Sequence, residues 1–420
     1  MIDMANGELA GKSFGTILDS APMGRFQVLV VVLCAAIALI DGFDTQAIAF
    51  VAADVATAWH VKVSAFGVVF AVGLVGGLVG AAVFGSAGDR FGRKPILLVT
   101  IALFGAVTLL TPSVHSLAAL DTVRFITGIG LGAALPIAIS ITSEYTPGRL
   151  RTTVVGLMFC GFPLGAVLGG LCAAALIPSY GWTSVFYVGG GIPLLLLPLL
   201  WWALPESAKP PATRSPVVQL FTDGRAAGTL LLWLILFLSL LLTYLLSSWI
   251  PVLAQRSGID AEAATFAAVV INLGAVVGCL VIGRLADRYN TTLVIGSAYL
   301  IGALAIAAIG QAGHSDAALI GTAFVAGFFS LGAQMCAVSL SASLYDAALR
   351  TTGIGFSMAV GRVGAIVGPL LGGALIGAGI SAPELFVTIA PASIGAAIAT
   401  FALWRFLPRR DSPRAAHVKQ

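Results

Sequence analysis

Two aspartates, Asp41 and Asp44, stand three residues apart inside a segment that is otherwise apolar from about 26 to 53. At that spacing both carboxylates fall on one side of a helix, within about 100° of each other. An ionised carboxyl in hydrocarbon is expensive, so a spanning helix that keeps two of them must use them. Ending the helix at Ile40 would place the pair in water, but it leaves only about 15 apolar residues where roughly 20 are needed to span. Continuing to Ala53 restores the span with the pair inside it. The chemistry this predicts is proton binding, because a carboxyl passes through a dry site only when neutralised. Two cations, Arg124 and Arg362, also lie inside apolar runs. At about 1.5 Å per residue, Asp44 sits roughly 14 Å and Arg124 roughly 10 Å from the outer surface, with Asp41 and Arg362 near the midplane. Arg362 has no evident acid at its depth. A structural role would pair it with Asp41 or with backbone carbonyls. A chemical role would offer its planar guanidinium to the carboxylate of an acidic ligand, often through two bonds.

The elements that must position these residues are membrane helices. Of 420 residues, 59% are hydrophobic and 10% charged, where a soluble domain carries about 25% charge. A net charge of +4, spread over short loops, does not suggest nucleic acid. The five cysteines fall in apolar runs without ligand spacing and read as small core residues, not as disulfides or a metal site. No cleavable signal is evident, so the first helix is expected to remain as an insertion signal. The pattern predicts twelve helices, near 26–53, 63–86, 95–113, 117–142, 152–177, 182–204, 229–251, 263–285, 291–311, 316–342, 352–378 and 384–407. The hardest boundary lies in the chargeless stretch 152–205, where Pro178 to Trp182 supplies a turn with interfacial aromatics. Lys and Arg gather in alternate loops and in both tails, leaving only Lys62 and Arg256 on the other side, so both termini are expected in the cytoplasm. A proline-rich stretch, 205–228, reads as a linker between six-helix bundles over 26–204 and 229–407, flanked by cytoplasmic segments 1–25 and 408–420.

The two halves are copies. Gly85-Ser86-Ala87-Gly88-Asp89-Arg90 matches Gly283-Arg284-Leu285-Ala286-Asp287-Arg288, each ending the second helix of its half. Arg151-Thr152-Thr153 matches Arg350-Thr351-Thr352, and Gly156, Gly165, Ala166 and Gly169 recur at one offset as Gly355, Gly364, Ala365 and Gly368. The fold class is therefore an all-α membrane protein of twelve transmembrane helices in two pseudo-symmetric six-helix halves. Parallel repeats of this kind describe a rocking transporter with its site between the halves.

These residues resemble a known family. The run from Gly85 through Asp89, Arg90 and Gly92 to Arg93 and Lys94 is similar to the major facilitator superfamily signature between the second and third helices. Leu204-Pro205-Glu206-Ser207 resembles that superfamily's ending of the sixth helix. Asp41-Gly42-Phe43-Asp44-Thr45, Arg124 to Gly128, Ser143 to Pro147 and Gly361 to Ala365 resemble the aromatic acid:proton symporters within it. The second-half copy departs from the signature, continuing from Arg288 as Tyr-Asn-Thr-Thr without the Gly-Arg-Lys ending, which suggests weaker gating contacts there. The resemblance implies import of an aromatic carboxylate of benzoate or hydroxybenzoate type with protons, by alternating access, in a bacterial-type inner membrane. It also makes the first and fourth helices neighbours. An Asp44–Arg124 pair would then keep Asp44 ionised and leave Asp41 the better proton carrier, with both residues remaining candidates for coupling.

Other candidates are weaker singly. Gln46, Asn272, Gln334 and Tyr244 at mid-depth suit a ring hydroxyl or carboxylate, or ordinary interhelical bonds. Phe159, Phe162, Phe328 and Phe329 suit a sandwiched aromatic ring. Gating is assigned to Asp89, Arg90, Arg93, Glu144, Arg151, Asp287, Arg288 and Arg350, with Asp89 able to meet the positive start of the eleventh helix when the halves close. Glu144 is expected to join the charge cluster of Arg149 and Arg151. No span holds a histidine and no protease motif occurs, so an enzyme is not expected, nor a metal or cofactor. The lipid bilayer, a proton and a small aromatic acid are the expected partners, and a monomer the expected state. The alternative is a proton-coupled exporter of drugs or other organic compounds.

Overall fold

The computed structural model describes residues 23–147, 150–206, 217–222, 224–256, 261–312, 315–345 and 347–406. Its helices are α1 (Arg25–Ala58), α2 (Phe66–Phe91), α3 (Arg93–Leu110), α4 (Leu117–Tyr145) and α5, whose pieces Arg151–Phe159 and Gly161–Tyr180 meet at Cys160. They continue with α6 (Thr183–Ala203), α7 (Ala226–Arg256), α8 (Ala261–Arg288) and α9 (Thr291–Gly310). Then come α10, running from Asp316 to Leu344 through a π-helical turn at Gly327–Leu331, α11 (Ala347–Gly377) and α12 (Ala382–Leu403). Twelve spans are long and apolar enough to cross a membrane, with mean hydropathy from 1.6 to 2.5. No strand occurs among the described residues. The protein is a multi-pass membrane protein of two six-helix halves.

Most helix ends fall near the expected positions, with five differences. α1 runs on to Ala58, α2 to Phe91 and α7 to Arg256, α11 begins at Ala347, and α12 stops at Leu403. A helix satisfies its own backbone and need not stop at the membrane surface. α1 ends instead at Trp59 and His60, where His60 takes a left-handed φ of 53°. Gly92, at φ 104°, lets the chain reverse between α2 and α3 within one residue, which gives the glycine of that loop motif its reason.

What holds each half together is close backbone packing at glycines. Lipid tails are as apolar as leucine, so helices in a membrane gain by close van der Waals approach and not by leaving water. A Cβ on Gly42 of α1 would overlap the carbonyl of Phe162 on α5, and one on Gly165 would overlap Leu39. The second half repeats this: Gly364 and Gly368 of α11 press on the Phe237 and Leu241 carbonyls of α7. Likewise α2 and α4 meet through Gly76, Gly80, Gly128 and Gly132, while α8 and α10 meet through Gly274, Gly278 and Gly327. The sequence repeat is thus a repeat of helix pairings, first with fifth and second with fourth. Between the halves, α2 packs on α11 and α5 on α8.

For orientation within the molecule, the end at which α1 begins, rich in arginine and lysine, is called the basic end. There Arg93 pairs with Glu144, and Tyr145 donates to the Glu206 carbonyl at 3.1 Å. These bonds tie the loop motif after α2 to the end of α4 and to the motif that follows α6. At the opposite end the halves touch through Gly67 on α2 and Gly373 on α11.

Candidate functional site

α1 carries both aspartates, and the packing at Gly42 and Phe43 turns them towards different neighbours. Asp44 is fully buried. Arg124 of α4 donates from Nη1 to its Oδ2 at 3.1 Å and from Nη2 to its backbone carbonyl at 3.2 Å. Thr108 of α3 donates to Oδ1 at 2.8 Å. Both carboxylate oxygens are therefore engaged by groups of the same half. Arg124 is itself buried, and its Nε has no partner.

Asp41, buried three residues earlier on the same helix, is held differently. Its Oδ1 accepts a 3.2 Å hydrogen bond from Thr45, one turn along the same helix. Arg362 of α11 lies within electrostatic reach of it, and Tyr244 of α7 lies within reach of both. No ion pair joins Asp41 to Arg362: the ion pairs among the described residues are Arg93–Glu144 and Arg124–Asp44. Arg362 extends across to the other half, where its Nη1 meets the Gly77 carbonyl at 3.4 Å, a long contact. The structural reading of Arg362 is thus present only in weak form.

The polar candidates around this centre divide. Asn272, buried on α8, donates to the Ala268 carbonyl of its own helix at 2.9 Å. Gln46, Gln334 and Tyr244 make no hydrogen bond to another described residue, and none of their polar atoms is sealed off among the buried unpartnered ones. Gln46 and Gln334 are buried and Tyr244 half-buried. The aromatic candidates are more occupied. Phe328 and Phe329 meet edge to face with ring centroids 4.8 Å apart, and Phe328 also lies tilted against Phe324 at 6.4 Å. Both rings pack on the core of the second half, and Phe159 on that of the first. The π-helical turn that holds the phenylalanines widens α10 just before Gln334.

Of the gating candidates, Arg93 and Glu144 are joined to each other, and Arg288 lies over the ring of Tyr289 at 5.7 Å. The side chains of Asp89, Arg90, Arg151, Asp287 and Arg350 lie outside the described residues. So does Arg149, one of the expected partners of Glu144. The cysteines are free. Cys336 of α10 reaches the Cys279 carbonyl of α8 at 3.5 Å. No cluster of three or more metal-ligating side chains occurs among the described residues.

Sequence reasoning missed Thr108 and Thr45, the two hydroxyls that hold the aspartates. Depth arithmetic carried a signal for Thr108: five residues from the expected end of the third helix place it about 8 Å deep, level with Arg124.

The arrangement is that of a transport protein: buried charge of both signs, helices that pair in repeat, and a centre shared by two halves. The model of the Major Facilitator Superfamily matches residues 34–316 and 232–420. The chain belongs to that superfamily. Among curated proteins, this transporter is 36% identical to the gallate transporter of Pseudomonas putida, over 92% of this chain and 93% of that one. It is 35% identical to the 4-hydroxybenzoate transporter of the same organism, over 93% and 95%. With the 3-(3-hydroxy-phenyl)propionate transporter of Escherichia coli it shares 38% identity over 90% and 94%. Among solved structures it matches a bacterial homologue of the human lysosomal transporter Spinster in an inward-facing and occupied conformation. That match has a TM-score of 0.73 at 17% identity, over 92% of this chain and 98% of that one, and shows the fold alone. The family and relatives are transporters, not enzymes.

Proposed function

We propose that this transporter imports an aromatic carboxylic acid of benzoate or hydroxybenzoate type together with protons, by alternating access. One observation carries the reading: Arg362 is a cation on a spanning helix, turned to the opposite half, whose one hydrogen bond is a long contact to a carbonyl. A half-buried guanidinium so poorly paired is completed by an anionic ligand. Asp41, in its field, is the group whose charge must change when that anion arrives. Gln46, Tyr244, Gln334 and Asn272 supply hydrogen bonds for ring substituents, and the three relatives described above, transporters of acids that bear ring hydroxyls, support that substrate class. The basic end faces the cytoplasm of a bacterial inner membrane by the rule that Lys and Arg stay inside, and the protein acts as a monomer. The alternative, a drug exporter, favours an acidic site for cationic cargo, whereas here two arginines balance two aspartates.

The test is uptake of radiolabelled benzoate, its hydroxylated relatives and gallate into cells and proteoliposomes. Uptake is expected to rise as external pH falls and to collapse with a protonophore. Asp41→Asn is expected to lose accumulation, about tenfold for each unit of pH gradient per coupled proton, while still exchanging substrate. Uptake that follows sodium and ignores the protonophore, or resistance to toxic cations without acid uptake, would count against the reading.

A further inference from the structure

Cysteines that sequence spacing scatters through separate apolar runs are brought together by the fold, three of them from three helices. Cys160 lies nine residues from the start of α5 at Arg151, Cys279 nine from the end of α8 at Arg288, and Cys336 eight from the end of α10 at Leu344. At about 1.5 Å per residue, each stands about 12–14 Å in from the basic end of its helix. Local packing then turns them towards one another. The two pieces of α5 meet at Cys160, and α5 packs on α8 across the line between the halves. On the other side of α8, a Cβ on Gly332 of α10 would stand 3.0 Å from the Cys279 nitrogen. That close approach sets Cys336, one turn further along α10, against the Cys279 carbonyl at 3.5 Å. The Cys279 thiol is consequently within reach of two others, Cys160 of the first half and Cys336 of its own. All three are free thiols.

The geometry points to a thiol-oxidation site here: Cys160 and Cys279 close a disulfide between the halves, and that bond stops transport. The inference rests on the transporter reading but not on the identity of the cargo. The oxidant it requires is hydrogen peroxide, small enough to enter at Cys279, which is half-buried where Cys160 and Cys336 are buried. One thiolate of the pair attacks a peroxide oxygen, the O–O bond breaks, and a sulfenic acid and a water form. The other thiol attacks that sulfur, the S–S bond closes and a second water leaves. Two thiols thus give up two protons and two electrons, and the peroxide takes them. Because α5 and α8 belong to different halves, the new bond holds the halves in one arrangement. Thiol reductants of the cytoplasm reverse it, which makes the bond a transient, redox-sensing one. Cys336 competes for the same sulfur. A Cys279–Cys336 bond stays within the second half and leaves the halves free.

The test uses the full-length protein in membrane vesicles, with a protease site placed in the 205–228 linker. After hydrogen peroxide and cleavage, the halves are expected to stay joined on a gel without reductant and to part with dithiothreitol. Radiolabelled uptake is expected to fall in proportion to the crosslinked fraction and to recover with dithiothreitol. Cys160→Ser and Cys279→Ser change one atom each. Both are expected to take up substrate before oxidation, to form no crosslink and to keep their uptake in peroxide, and the alanine variants repeat the measurement should a serine disturb packing. Cys336→Ser is expected to keep or raise the crosslinked fraction. Absence of a crosslink in wild type, a crosslink that survives loss of Cys160 or Cys279 or vanishes with Cys336, or a crosslinked protein that still transports would each overturn the bridge. Should wild type take up no aromatic acid, the substrate reading fails, while the crosslink and its dependence on Cys160 and Cys279 still decide the bridge.

Discussion

Arg124 and Arg362 lie well inside spanning helices of this transporter, away from the helix ends, and they are held in opposite ways. Arg124 grips one residue twice, through the Asp44 carboxylate and the Asp44 carbonyl, and Thr108 completes the set from a third helix of the same half. Arg362 crosses to the other half, touches a single carbonyl at 3.4 Å and stands near an aspartate with which it makes no ion pair. The first arrangement is closed within one half. The second lies between the halves. A charge inside a span is therefore held in two ways in this molecule: Arg124 is engaged within its own half, while among the described residues Arg362 has a single long contact to the other.

The comparison breaks most sharply if Arg124 proves dispensable for folding. Removing one partner of a buried pair leaves the other charge uncompensated, at a cost of about 3–5 kcal/mol. Arg124→Ala is expected to lose that much stability in thermal unfolding of the purified protein, because Asp44 has no exposure through which water could reach it. A melting curve like that of wild type would show that Asp44 is not held as the distances indicate. Arg362→Ala should do the reverse. It loses a charge-assisted contact to the ligand worth roughly 2–5 kcal/mol, about 30- to several-thousand-fold in affinity, with little change in melting. Binding of an ionised aromatic acid to the purified variant measures this, and wild-type affinity in a well-folded Arg362→Ala would pass the carboxylate role to Arg124.

Much of this contrast was legible in the residues, and the rest was not, for identifiable reasons. Apolar runs and the placement of Lys and Arg sufficed for twelve spans, since length and charge are properties of each segment alone. The repeat placed Gly165 beside Gly364 in register, but only three dimensions show each pressed on a carbonyl of a neighbouring helix, Leu39 in one half and Phe237 in the other. Gly42, inside the aspartate motif, has the same explanation: it lets α5 approach α1 between the two acids. Depth arithmetic brought Asp44 level with Arg124, and the structure joins them. It gave no direction around the helix axis, so it could not say that Thr108 faces Asp44, or that Phe328 and Phe329 meet edge to face. Contacts of one half with the other, such as Trp249 against Phe70, leave no trace in local pattern, because they depend on how the two bundles meet.

The smallest expected effects come from the two threonines, which repeat the arginine contrast with a single hydroxyl each. Thr108 donates to Asp44 from a different helix at 2.8 Å, in a fully buried setting. A hydrogen bond to a charged group contributes about 1.5–3 kcal/mol, so Thr108→Val, which keeps the branched shape, should lower stability by about that amount. Thr108→Ser should restore most of it. Thr45 donates to Asp41 from one turn along the same helix at 3.2 Å, a longer bond made within a single helix. Thr45→Val should leave the melting curve within about 0.5 kcal/mol, the scatter of ordinary substitutions. On the proposed role of Asp41 its effect belongs in transport, because the hydroxyl is the group that hydrogen-bonds the Asp41 carboxylate among the described residues. A modest hydrogen bond of about 0.5–1.5 kcal/mol corresponds to a roughly 2- to 12-fold change in proton-driven uptake. Stability and uptake measured side by side on the two valine variants separate the roles. If Thr45→Val melts early while Thr108→Val does not, the assignment of the closed pair to Asp44 and the open one to Asp41 is reversed.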